Sequence, residues 1–68
     1  MRILIIEDEK QLAANIKNFL LKKGDAVDTA DSGEEGEYLA ENETYDVIIL
    51  DLMLPDKDGL KICQNLRQ

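Results

Sequence analysis

The sequence predicts an α/β fold: three βα units in the order βαβαβα, forming a small parallel sheet with helices on both faces. Three observations carry that expectation. Two short apolar runs, Ile3 to Ile6 and Val47 to Leu50, lack the alternation of a half-exposed strand and read as strands covered on both sides. Each strand is followed by a stretch with apolar residues at helical spacing. The connections are too short for anything except compact crossovers, which are right-handed almost without exception.

The first strand, Ile3-Leu4-Ile5-Ile6, is rich in β-branched residues and stops at Glu7-Asp8-Glu9. After it, Leu12, Ile16, Phe19 and Leu20 recur with the period of one helix face. Lys22 and Lys23 then fall where the helix dipole favours cations, and Gly24 where a helix usually ends. Ala26-Val27-Asp28-Thr29-Ala30 is more polar, as an edge strand should be. Ser32 with Glu35 offers a capping box for a second helix. Gly33 and Gly36 weaken that helix by about 1 kcal/mol each relative to alanine where they fall in its interior, and Leu39 and Ala40 give it a narrow apolar face.

Val47-Ile48-Ile49-Leu50 is the clearest strand, closed by Asp51. Beyond a loop containing Pro55, Asp58 can cap a third helix in which Ile62, Cys63 and Leu66 form one stripe. That stripe makes Cys63 a small core residue, and Tyr38 and Tyr45 read as packing residues. Glu34, Glu35, Glu37, Glu41 and Glu43 read as a solvated face.

The 68 residues suffice for one small domain, residues 1–68, with no second domain expected. So short a chain buries only about 60% of its unfolded surface, which makes self-association a natural source of stability. Eight lysines and arginines stand against 15 aspartates and glutamates, a net charge of -7, so nucleic acid and anionic membrane are poor direct partners. No apolar run approaches the roughly 20 residues needed to cross a bilayer. One cysteine and no signal peptide suggest a reducing cytoplasm. The absence of histidine removes the usual zinc and general-base chemistries.

Both apolar runs end in acid, the first in Glu7-Asp8 and the other in Asp51. In open α/β sheets, sites gather at the carboxyl ends of the strands where the strand order reverses. If the two strands are neighbours, three carboxylates converge, and their repulsion calls for a cation or protons. Helix capping would explain Glu7 or Asp8 taken alone. The coincidence with Asp51 points to chemistry instead, and hard oxygen donors without histidine or thiol point to Mg2+.

Ile3-Leu4-Ile5-Ile6-Glu7-Asp8-Glu9, then Tyr45-Asp46-Val47-Ile48-Ile49-Leu50-Asp51-Leu52-Met53-Leu54-Pro55, then Asp58-Gly59, together resemble the receiver domain of two-component response regulators. The resemblance runs from Met1 to Gln68 without a gap. It implies a flavodoxin-like, doubly wound sheet with strand order 2-1-3, present as the amino-terminal half of the family's domain. It implies a phosphoacceptor regulator, not an enzyme, with Asp51 attacking a phosphohistidine on a partner histidine kinase to form an aspartyl phosphate. Asp8, Glu7 partly through water, an oxygen of Asp51 and the backbone carbonyl of Met53 would then hold Mg2+, while Pro55 and Gly59 would shape the loop.

The family's remaining strands and helices normally supply a hydroxyl residue and a lysine that read the phosphoryl group. Neither carries over to a position here, and Lys57 and Lys61 are no substitutes, so metal binding is expected but no complete switch. Val47 to Leu50 would form an open sheet edge, and a homodimer joining these edges antiparallel about a two-fold axis is expected. The segment Asp51 to Pro55 is similar to regulators with a winged-helix DNA-binding output. The alternative is a non-enzymatic, self-associating fragment with an idle acidic pocket. A hydrolase with an aspartate nucleophile is disfavoured because Met53 stands where a second aspartate would be needed.

Overall fold

The computed structural model describes residues 1–67. Its elements are β1 (Arg2–Ile6), α1 (Lys10–Lys22), β2 (Ala26–Ala30), α2 (Gly33–Asn42), β3 (Val47–Leu50) and α3 (Gly59–Leu66). All three strands are parallel, in the order β2-β1-β3, with Ile6 of β1 opposite Ala30 on one side and Leu50 on the other. The apolar run of β1 therefore lies at the centre, and Ile3, Leu4, Ile5 and Ile6 are each at most 2% exposed.

Alternation along β1 sends side chains to two cores. Leu4 and Ile6 join Ala30, Leu54 and Ile62, with Leu39, Ala40 and Leu66 of α2 and α3 packed around them. Ile3 and Ile5 join Ala13, Ile16 and Leu20 of α1, with Val27. Helices thus cover both faces. Gly24 ends α1 with φ of 90°, a left-handed conformation in which glycine alone is unstrained. Ser32 and Asp58 cap α2 and α3 through their side chains.

Four expectations are corrected. β3 is not covered on both sides: Val47 and Ile49 are 38% and 37% exposed. They share the face of Ile3 and Ile5, where α1 packs against β1 and β2 and leaves β3 open. Leu12 and Phe19 are exposed, because the face of α1 that meets the sheet is the one carrying Ala13, Ile16 and Leu20, and the Phe19 ring instead receives the Lys23 ammonium at 5.7 Å. Tyr38 is exposed. Tyr45, by contrast, packs against the core as expected, half-buried, its hydroxyl donating to Asp28 at 2.7 Å under the Arg2 guanidinium, and burial with the Asp28 carboxylate pushes its phenol up to about 12.

Glu37 is the fourth, since it is only 8% exposed and no part of a solvated face. Its Oε1 accepts from Lys57 Nζ at 2.6 Å and its Oε2 from Asn65 at 2.9 Å. These bonds hold its carboxyl below the usual range despite burial. A depressed folded-state value means that Glu37 stabilises the fold fully above the unfolded value of 4.5 and ceases to do so as pH falls through the lowered one. Glu37→Gln is expected to cost about 1.5 kcal/mol at neutral pH and to flatten the acid limb of the stability profile, as urea denaturation across that range would show.

Candidate functional site

The parallel pairing of β1 with β3 decides where the acids meet. With Ile6 opposite Leu50, the next residue of each strand, Glu7 and Asp51, emerges side by side at the carboxyl edge. The Asp51 amide donates to the Ile6 carbonyl at 2.9 Å and the Glu7 amide to Ala30 at 3.0 Å, so both backbones are pinned where the side chains leave the sheet. Glu7, Asp8 and Asp51 each bring a carboxylate oxygen within 4.8 Å of the others. Glu7 and Asp51 are partly buried and Asp8 is exposed. The three residues expected from sequence are thus brought together.

Three like charges this close repel one another. Burial, and then the neighbouring Asp51 and Asp8, push the Glu7 carboxyl up, against the Glu9 amide that donates to its Oε1 at 3.3 Å. The donors are hard oxygens, partly buried and partly open to water. That set suits a small divalent cation that keeps some of its waters, and it fits Mg2+ better than zinc or copper.

Asp51 opens a loop to α3. Its Oδ1 accepts from the Met53 amide at 2.9 Å, an Asx turn that fixes the carboxylate and draws Met53 back toward the acids. Leu54 is 8% exposed and anchors the loop in the core beside Ile62. Gly59 closes the loop, its amide donating to Leu52 at 3.3 Å, and Asp58 caps α3 through the Leu60 amide at 3.0 Å. Pro55 is exposed, on the turn between these anchors.

Sequence reasoning missed Asp56 and the role of Lys57. The two Asp56 oxygens accept from the Gly33 and Glu34 amides at 2.8 and 2.9 Å, which ties the loop to the start of α2. These bonds, with Lys57, hold the Asp56 carboxyl below its ordinary range. No local signal could have revealed them, because the partners lie 22 and 23 residues away in the chain.

A family model described as the response regulator receiver domain matches residues 3–68. Among curated proteins, the chain is 46% identical over 67 residues to the transcriptional regulatory protein CusR of Escherichia coli K12, covering 98% of this chain and 30% of that one. It is 42% identical to the alkaline phosphatase synthesis transcriptional regulatory protein PhoP of Bacillus subtilis, covering 98% and 28%. Among solved structures it superposes on a two-component response regulator from Clostridium difficile with TM-score 0.94 and 36% identity, over 98% of this chain and 55% of that one. A Thermotoga maritima response regulator, TrrA, in complex with Mg2+ and BeF, matches with TM-score 0.93 and 35% identity, over 97% and 57%. The chain spans under a third of the length of these curated relatives and somewhat over half of these solved chains.

Proposed function

Since the chain belongs to the response regulator receiver domain family, we propose that it is a Mg2+-dependent phosphoacceptor module, with Asp51 taking a phosphoryl group from a phosphohistidine on a partner histidine kinase. The convergence of Glu7, Asp8 and Asp51 within 4.8 Å, at the edge where the central strand meets β3, carries this reading.

In the transfer, an Asp51 carboxylate oxygen forms the new bond to phosphorus. The phosphorus–nitrogen bond to the kinase imidazole breaks and its electron pair stays on that nitrogen. The Met53 amide holds the attacking carboxylate in one orientation, which supplies part of the positioning such a transfer requires. Asp8, Glu7 partly through water, an oxygen of Asp51 and the Met53 carbonyl would hold Mg2+, which when bound neutralises charge on the transferring group.

A small phosphodonor such as acetyl phosphate is expected to add one phosphoryl group in the presence of Mg2+ and none with chelator, read by intact mass. Mg2+ binding without any adduct would instead support the idle-pocket alternative. The names of the curated relatives assign transcriptional control to those longer proteins. With its net charge of -7, this chain would serve such control by changing the state of a separate output domain, not by touching DNA. The reading places the module in the bacterial cytoplasm with its kinase, and no helix among the described residues is long and apolar enough to cross a membrane.

The open edge of β3 supports self-association as a second part of the reading. Val47 and Ile49 are exposed, and β3 has a strand neighbour on one side only among the described residues. An antiparallel joining of two such edges satisfies both sets of backbone groups. Sedimentation equilibrium is expected to give twice the chain mass, and a folded monomer at micromolar concentration refutes it.

A further inference from the structure

We infer that Asp56, Lys57 and Glu37 are positioning residues for the phosphoacceptor loop, clamping it to α2 and so holding its Mg2+ ligands in place. The inference rests on the acceptor reading above. The amino end of α2 is capped twice. Ser32 Oγ accepts from the Glu35 amide at 3.1 Å, as the helix's own cap. Asp56, from the loop, takes the two preceding amides, Gly33 and Glu34. A carboxylate there also meets the positive end of the helix dipole.

The second tie runs from Lys57 Nζ to Glu37 Oε1 at 2.6 Å, and Glu37 continues to Asn65 of α3. Glu37 is more than nine-tenths buried, so its two partners are the ones its charge requires. The packing agrees, since a Cβ on Gly33 would stand 2.8 Å from Lys57 Cβ and 3.2 Å from Asp56 Oδ1. A glycine at that place lets the loop lie directly on the helix.

The loop is therefore held at Asp51 by the sheet, at Leu54 by the core, at Asp56 and Lys57 by α2, and at Asp58 and Gly59 by α3. None of the three clamp residues belongs to the acidic triad, and their side chains are engaged with α2 and α3, so they act through the loop. Losing a group that orients a metal's ligands typically costs about 10- to 100-fold in affinity.

The test is calorimetric titration of Mg2+ into the whole chain and its variants, with thermal melting alongside. Asp56→Ala is expected to weaken Mg2+ binding about tenfold, and Asp56→Asn, which keeps an acceptor for one of the two amides, to fall between. Ser32→Ala removes the helix's own cap but leaves the loop attached. It should lower the melting temperature while Mg2+ affinity stays within about twofold. Affinity for Asp56→Ala within about twofold of the parent overturns the clamp, as does equal weakening by Ser32→Ala. Should Asp56→Ala not fold, Lys57→Met leaves the Asp56 cap in place and is expected to weaken Mg2+ about threefold; unchanged affinity there is equally fatal. A parent chain that takes up no Mg2+ overturns the acceptor reading itself, whereas a parent that binds alongside indifferent variants overturns only the clamp.

Discussion

Asp51→Asn is expected to abolish phosphoryl acceptance and, at the same time, to raise the melting temperature of the metal-free chain. The two effects share one cause, the loss of a carboxylate. An amide oxygen is too weak a nucleophile to attack phosphorus, so no adduct should form with any donor. The asparagine oxygen can still accept from the Met53 amide, so the turn that Asp51 makes there is preserved. What disappears is one of three negative charges converging within 4.8 Å, the same crowding that, with burial, raises the Glu7 carboxyl. Relief of that repulsion at a partly hydrated site should be worth about 1 kcal/mol. Mg2+ affinity should fall at least about tenfold, because both a ligand and a charge are lost. Intact mass after treatment with acetyl phosphate, scanning calorimetry and Mg2+ titration read the three effects separately. A phosphoryl group on the asparagine variant would place the acceptor elsewhere, and unchanged Mg2+ affinity would mark the pocket as idle.

Gly59→Ala should be severely destabilising. A Cβ at this position would stand 2.4 Å from the Leu52 Cα, 2.7 Å from the Asp51 carbonyl oxygen and 2.9 Å from the Leu52 carbonyl carbon. All three are backbone atoms, and they belong to the loop that leaves β3 at Asp51. Gly36 is about as tightly placed, against the Cδ1, Cγ2 and Cγ1 atoms of Ile6, a buried β-branched side chain that yields only by leaving its rotamer at a cost. Backbone cannot yield in that way without moving Asp51 or the first turn of α3. The cost should exceed about 3 kcal/mol, at the top of the range for overpacking. Against the roughly 5–15 kcal/mol that folded proteins typically have in total, that is a large fraction. Circular dichroism melting is the direct measurement, and Mg2+ titration of whatever remains folded should show weakened binding. A melting temperature near the parent's would mean that α3 does not start against the loop as the structure has it.

Much of the site was legible because its causes are local. Glu7-Asp8 and Asp51 each stand directly after an apolar strand, and the βαβαβα order with short connections reads as one parallel sheet. Ser32 and Asp58 were legible as caps because a cap bonds to amides two or three residues on. The capping box itself differs in detail, since the Glu35 carboxylate reaches back to the Asp31 amide at 3.2 Å, one residue before the cap. The adjacency of β1 and β3, on which the meeting of the acids depends, followed from the family resemblance; the register of the two strands in the structure accounts for it physically.

By itself, then, the sequence determined the element order, the strand ends and the identity of the converging acids, since periodicity and short-range hydrogen bonding act within a few residues. Only the tertiary structure decided which of these residues are covered and what they touch. Glu37 looks like its neighbouring glutamates in the chain, yet it is buried because α3 and the loop pack over it, with partners 20 and 28 residues away. Val47 and Ile49 look like core, yet they are open because α1 lies over the other two strands. Burial is a property of packed surfaces, and no residue carries in its own side chain the information of what will lie against it.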